Sequence, residues 1–237
     1  MKPPKIHFTA LISVDLDLEM IPYFIPNYSD LELDNYVIFL HEGKKPDDNL
    51  WAEKAIKDAG WKVRFVPRNA SFGNGELRRA LFNKLQKAIP PTDYIMTSSG
   101  DEIQNWTGSP YDFVADNVDI VLGKRFDRFN DSLKEVDPED ELENIFPIQN
   151  ENLSFILSPN KPRPNDKIVM SKASVPVDFK RSTALLTKDA SNLKVTGDIS
   201  IYHFKWRKNL LERLRERSDY TPDDIKSIKN FFEVRDK

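Results

Sequence analysis

The chain has 237 residues, enough for one large domain or two small ones with a full core and no staples. It contains no cysteine, which excludes disulfides, thiolate zinc sites, iron–sulfur clusters and a cysteine nucleophile. Its 35 basic and 38 acidic residues leave a net charge of −3, which argues against a general nucleic-acid binder.

In chain order, residues 6–12 read as a buried strand. Apolar residues then recur at helical spacing from Leu16 to Ile25, with Pro22 and Pro26 keeping any helix there short or kinked. Residues 36–40 form a second strand, and a helix over 49–59 follows, with Asp47, Asp48 and Asn49 as candidate caps and Gly60 as its terminator. Residues 61–66 are a third strand. A helix over 75–88 presents Leu77, Leu81, Leu85 and Ala88, and Pro90-Pro91 stops it. Strands are expected at 94–96 and 119–122. The second half offers an acidic loop at 131–140, a strand within 145–157, a Pro-rich loop at 158–166, and strands at 168–170 and 199–204. Two helices close the chain at 209–217 and 222–234, the latter opened by Thr221 and Pro222.

This alternation is that of an open α/β sheet with right-handed crossovers, whose ligands bind outside the carboxyl ends of the strands. The residues just after each strand are therefore the ones to inspect: Ser13 to Asp15, His41-Glu42, Arg68-Asn69, Ser98 to Glu102, and Lys124 to Arg128. No apolar run approaches the ~20 residues of a membrane span. A basic residue follows Met1, but no long apolar run or small-residue cleavage site does. The reading is a cytosolic protein, or one peripheral to a membrane on its cytosolic side.

Four segments carry candidate chemistry. The turn Ser99-Gly100-Asp101-Glu102 places adjacent carboxylates at a strand's end, where Mg²⁺ or Mn²⁺ could be held together with substrate phosphates. A plain β-turn with two solvated acids fits it as well. In the segment 202–208, His203 could ligate a metal, Lys205 and Arg207 could take phosphate oxygens, and Trp206 could stack on a sugar or base. The plainer reading is a core histidine before a basic surface cluster. One of Arg78 and Arg79 could point along the site edge. Asp127 could act as a general base or pair with Arg125 or Arg128. With 8 glycines against 16 prolines, Gly-rich phosphate loops have little material, and no Walker loop, Gly-x-Gly-x-x-Gly, Gly-x-Ser-x-Gly or His-Glu-x-x-His is present.

Taken together, Leu-Glu-Met-Ile-Pro-Tyr-Phe-Ile-Pro-Asn-Tyr (18–28), Leu-Arg-Arg-Ala-Leu-Phe-Asn (77–83), the acidic turn and His-Phe-Lys-Trp-Arg-Lys-Asn-Leu-Leu-Glu-Arg-Leu (203–214) resemble small family 2-like glycosyltransferases of bacterial and viral type. The resemblance implies an α/β GT-A (Rossmann-like) fold. That is an open, mostly parallel sheet flanked by helices, with a small additional sheet and C-terminal helices. Residues 1–237 would be a single domain, with 1–103 as the nucleotide-binding half and 104–237 as the acceptor side. It implies a nucleotide-sugar donor, a glycan or other hydroxyl acceptor, and a divalent Mn²⁺ or Mg²⁺ ion. Asp101 matches the last Asp of an Asp-x-Asp motif, while Ser99 stands where the first would be. His203 matches the late histidine that completes the metal shell. Lys205 and Arg207 match basic residues near the diphosphate, and Arg79, ahead of Arg78, matches a basic residue lining the nucleotide site. Ser13, Asp15 and Glu42 join the donor site, and Asp127 is the candidate base.

Two other classes are weighed. A non-catalytic nucleotide- or carbohydrate-binding module with a degenerate site accounts for Ser99. A related nucleotidyltransferase is disfavoured by the missing Gly-rich N-terminal loop.

Overall fold

The computed structural model describes residues 3–70, 75–130, 135–136, 139–151, 166–180, 183–186, 192–207 and 226. Ile6–Ser13 forms β1, and all of its residues are buried, as a central strand covered on both faces requires. The chain then turns through α1 (Val14–Asp17), a 3-10 turn (Leu18–Met20) and α2 (Ile21–Ser29). Pro22 sits in the first turn of α2, where its missing amide costs nothing, and Pro26 lies inside the helix.

After β2 (Asn35–His41), α3 (Pro46–Asp58) begins earlier than the periodicity predicts. Pro46 opens it, so Asp47 and Asp48 fall in the first turn instead of capping it. Asn49 instead ties down Gly43, accepting from its amide at 2.7 Å and donating to its carbonyl at 3.1 Å. Gly60 ends the helix as expected, at φ +80°. Its amide bonds Lys57 O at 2.8 Å while Trp61 N reaches back to Ile56 O at 3.2 Å, a Schellman closure.

Next come β3 (Lys62–Val66), α4 (Gly75–Ala88) and β4 (Tyr94–Ser99). A strand absent from the sequence reading, β5 (Glu102–Asn105), starts directly after the acidic turn. Beyond α5 (Pro110–Ala115), β6 runs the length of Ile120–Phe129, so residues 124–128 lie in the strand and not in a loop after it. Helix α6 (Leu142–Ile145) and β7 (Ile148–Asn150) occupy part of the region where one strand was expected. The last described elements are β8 (Asp166–Lys172), β9 (Val177–Lys180), β10 (Thr183–Leu186) and β11 (Val195–His203). The helices expected over 209–217 and 222–234, and the Pro-rich segment up to Asp166, lie outside the described residues apart from Lys226.

The main sheet has the order β3-β2-β1-β4-β8-β6-β11-β5, with β7 paired to β6, and β9 and β10 make a separate two-stranded sheet. β1 runs parallel to both β2 and β4, and β2 to β3; β6 and β11 are likewise parallel to each other. β8 is antiparallel to both β4 and β6, and β5 is antiparallel to β11. This is an open, mostly parallel Rossmann-like sheet, six of its nine strands running one way, with a small additional sheet.

One face is closed by α2 and α3 over an aromatic cluster. Phe8 stacks on Tyr28 at 4.4 Å between centroids, and Tyr36 lies flat on Trp61 at 4.6 Å. Full burial of the Phe8 ring stabilises the fold by roughly 1.5–3 kcal/mol. On the other face Phe82 of α4 packs with Ile95, Ile120 and Ile168.

Where the chain enters β6, Asp119 ties three segments together. It accepts from Lys172 Nζ at 2.7 Å and from the Lys194 amide at 2.9 Å. Burial alone would raise its carboxyl, but these two lysines outweigh that and hold it below the usual carboxylate range. A depressed carboxylate contributes stability that is full above its unfolded value, about 3.9, and lost as pH falls through the folded value. Asp119→Asn should therefore lower Tm at pH 7, and its curve should converge with that of the parent chain once pH has fallen through the folded value of Asp119. Parallel curves from pH 7 to pH 2 would contradict this.

Candidate active site

The chemistry-bearing residues gather at the carboxyl edge of the parallel strands. β1, β4 and β11 end there in Ser13, Ser99 and His203. Register does the rest. β11 pairs with β6 so that His203 faces Asp127, and with β5 so that His203 faces Glu102. The turn between β4 and β5 then brings Asp101 against the imidazole. His203 Nδ1 lies 2.6 Å from Asp127 Oδ1, and Nε2 lies 3.3 Å from Asp101 Oδ2. Asp101 is held from the backbone side as well, because its carbonyl accepts the Phe204 amide at 2.8 Å.

Burial alone would raise the Asp101 carboxyl. The imidazole of His203, with Arg207 and Arg78 behind it, outweighs burial and holds Asp101 well below the usual range. Burial alone would lower His203, but Asp101 and Asp127 on its two sides raise it. Asp101 keeps 23% of its side chain exposed, whereas Asp127 keeps 2%. The line Asp127–His203–Asp101 thus runs from the interior to the surface.

Glu102, next in sequence to Asp101, points the other way. Its Oε2 pairs with Lys167 Nζ and accepts the Ser99 amide at 3.3 Å. Lys167 Nζ also reaches Ser99 Oγ at 3.4 Å. Burial raises the Glu102 carboxyl, and Lys167 together with His203 more than reverses the shift. Burial lowers the Lys167 ammonium, and Glu102 works against that. Beneath the turn, the Tyr28 hydroxyl bonds Ser98 Oγ at 2.7 Å and Glu102 O at 3.1 Å, and burial pushes its phenol up.

The other predicted site residues divide. Arg79 is exposed, and it is Arg78 that lines the groove beneath α4. The reason is a rotation of the helix. Phe82, not the Leu77–Leu81–Leu85–Ala88 stripe, is its most buried residue, and Ala88 is exposed. Arg78 stands one turn before Phe82 on the same face. The groove is lined by Thr9, Leu11, Phe39, Arg78, Leu81, Phe82 and Thr97.

The expected basic surface cluster at 205–207 is buried. Lys205 is 7% exposed, with its ammonium 4.9 Å from the Trp206 ring centre. Trp206 is 1% exposed, which excludes it from stacking on a ligand. Arg207, also 1% exposed, turns back to the segment after β1. It donates to Leu16 O at 2.9 Å and lies 3.5 Å from Asp17 Oδ1 and 3.1 Å from Glu19 Oε1. Asp17 in turn accepts the Ser13 amide at 3.0 Å and abuts Gly100, where an added Cβ would stand 2.7 Å from its Oδ2. Sequence reasoning gave no role to Asp17, Glu19 or Lys167, although Glu19 lies in the quoted segment 18–28.

Asp15 and Glu42 lie at the ends of β1 and β2. Asp15 accepts the Lys44 amide at 2.8 Å and lies 4.0 Å from Arg68 Nε. Asp127, read as a base, is enclosed behind His203 inside β6.

The donor set suits a divalent ion in part. A metal ion between His203 Nε2 and Asp101 would take the place of the proton those two groups share, with Nδ1–H still donating to Asp127, the arrangement in which a carboxylate orients a ligating histidine. Among the described residues no group of three or more His, Asp or Glu gathers closely enough to hold a metal. Two protein ligands completed by substrate phosphates is an ordinary way of holding Mg²⁺. No helix among the described residues is long and apolar enough to cross a membrane.

No protein-family model matches the chain, and no curated protein sequence does. Solved structures with a similar course include glucosyl-3-phosphoglycerate synthase from Mycobacterium tuberculosis, at 14% identity and TM-score 0.45, covering 98% of this chain and 80% of that one. TarS of S. aureus is similar at 9% identity and TM-score 0.42, over 97% of this chain and 71% of its own. A provisionally named glucose-1-phosphate thymidylyltransferase from Bacillus anthracis stands at 9% and 0.43, over 92% and 99%. Likenesses this faint in shape and sequence fix no residue and no activity.

Proposed function

We propose that the chain is a glycosyltransferase moving a sugar from a nucleotide-sugar donor to the hydroxyl of a glycan or other acceptor. The observation that supports it best is the Asp127–His203–Asp101 line at the carboxyl ends of the parallel strands, with the cations Arg78, Lys167 and Arg207 around it. Residues 1–103 would take the nucleotide, using the groove under α4 together with Ser13, Asp15 and Glu42 at the ends of β1 and β2. Residues 104–237 would face the acceptor.

Asp101 and His203 are the residues to hold Mn²⁺ or Mg²⁺, which when bound supplies charge stabilisation for the departing diphosphate. Arg78, on the groove wall, adds fixed positive charge without reorganisation. Asp127 fixes the ring of His203 through Nδ1. That role suits its burial better than taking a proton from an acceptor. Arg207 acts through Asp17 and not on phosphate directly. Zero cysteines suit a cytosolic setting.

Thermal unfolding with UDP, GDP, dTDP and CMP, each with and without Mn²⁺, tests the reading. A ligand at 100 times its dissociation constant adds about 2.7 kcal/mol, or roughly 5–10 °C for a chain of this size. One nucleotide should give a metal-dependent shift. No shift with any of them at saturating concentration would overturn the donor site.

A second reading, a binding module without transfer, is favoured by one observation: the side chain at Ser99 is buried and faces Lys167. It predicts a nucleotide shift but no release of nucleoside diphosphate from any nucleotide sugar.

A further inference from the structure

The acidic turn carries two adjacent carboxylates with different partners, Asp101 beside His203 and Glu102 on a buried cation, Lys167. Lys167 enters from β8, a strand distant in sequence, opposite Gly123 of β6. Its side chain is 5% exposed and that of Glu102 is 4%. Lys167 holds Glu102 Oε2 and reaches Ser99 Oγ at 3.4 Å, while the same Oε2 takes the Ser99 amide at 3.3 Å. Both ends of the turn are therefore drawn inward to one ammonium, and of the two residues between them, Gly100 and Asp101, the latter is left facing His203 Nε2.

We infer that Lys167 is a positioning residue of the candidate metal turn, drawing Ser99 and Glu102 inward so that Asp101 alone is presented beside His203. The inference rests on the proposed donor site. It gives Ser99 a specific meaning. Position 99 points at an ammonium and not at the open edge, so a carboxylate there would pair with Lys167 instead of joining a metal. The turn works with one carboxylate because Lys167 has engaged the other.

Three variants test this with two readouts, the exchange of the Ser99 amide by NMR and the binding of Mn²⁺ alone by EPR titration. In Lys167→Met the Ser99 amide should exchange at least tenfold faster, since its acceptor is no longer held, and Mn²⁺ should bind at least tenfold more weakly. Lys167→Arg keeps a cation on Glu102 and should stay within about threefold of the parent chain in both. Ser99→Asp should leave Mn²⁺ affinity unimproved. A Lys167→Met protein with a protected Ser99 amide and unchanged Mn²⁺ binding overturns the inference. So does a Ser99→Asp protein that binds Mn²⁺ tenfold more tightly, and this arm stands even where Lys167→Met fails to fold. A parent chain that binds neither Mn²⁺ nor any nucleotide would defeat the proposed function, while the amide readout would still decide whether Lys167 holds the turn.

Discussion

Asp101→Asn should abolish the metal-dependent part of nucleotide binding and leave the fold standing. The substitution keeps size and shape and removes the one partly exposed carboxylate beside His203 Nε2. The carbonyl of residue 101 still accepts the Phe204 amide, so the turn keeps its backbone anchor. Even the loss of a residue that merely orients a metal ligand costs about 10–100-fold in affinity, and loss of a ligand itself should cost at least that. In the nucleotide titration, the Mn²⁺-dependent shift should vanish, while the shift without metal, which rests on the groove under α4, persists. Unliganded stability at pH 7 should fall somewhat, because a depressed carboxylate is lost, but the variant should stay folded. His203 loses the stronger of its two carboxylate influences and so becomes less basic, with Asp127 still on Nδ1. A variant that keeps the full metal-dependent shift would remove Asp101 from the metal shell and leave the proposed donor site without its ion.

The legible part of the fold was the part governed by local pattern. β1 to β4 and the helices between them are long, apolar and punctuated by glycine or proline, and the α4 span matches its periodicity. What could not be read depended on partners far away in the chain. β5 is four residues long and exists because β11 offers it an edge. That pairing, not the motif, sets Asp101 against His203. The helical period placed α4 correctly along its axis but not about it, and a rotation by one residue exchanges Arg79 for Arg78. The basic run at 205–207 reads as a surface because cations usually are one. Arg207 is buried because Leu16, Asp17 and Glu19, nearly the whole chain away, supply its acceptors. Lys167 stands alone in its segment and gave no signal at all.

The same long-range closure sets the second large effect. Arg207→Met should destabilise the fold by about 3–5 kcal/mol, the usual cost of leaving one member of a buried ion pair behind. Asp17 is 4% exposed and would lose the guanidinium while keeping its bond to the Ser13 amide. Glu19, at 40% side-chain exposure, is screened by solvent and should add at most a few tenths of that cost. Against a typical total of 5–15 kcal/mol, the loss would shift the urea midpoint strongly or leave little folded protein. Asp17→Asn combined with Arg207→Met should recover part of the loss, because removing both charges also removes the unpaired one. Lysine is no substitute, since one ammonium cannot span Leu16 O, Asp17 and Glu19 as the planar guanidinium does. If Arg207→Met costs less than about 1 kcal/mol in urea, the guanidinium is not the link between the segment after β1 and the end of β11. If the cost is as large as expected, Asp17 is what transmits it to the site, because Gly100 leaves no room between Asp17 and the turn that carries Asp101. Nucleotide binding in the surviving folded fraction should then weaken mainly in its metal-dependent part, as it does when Asp101 itself is changed.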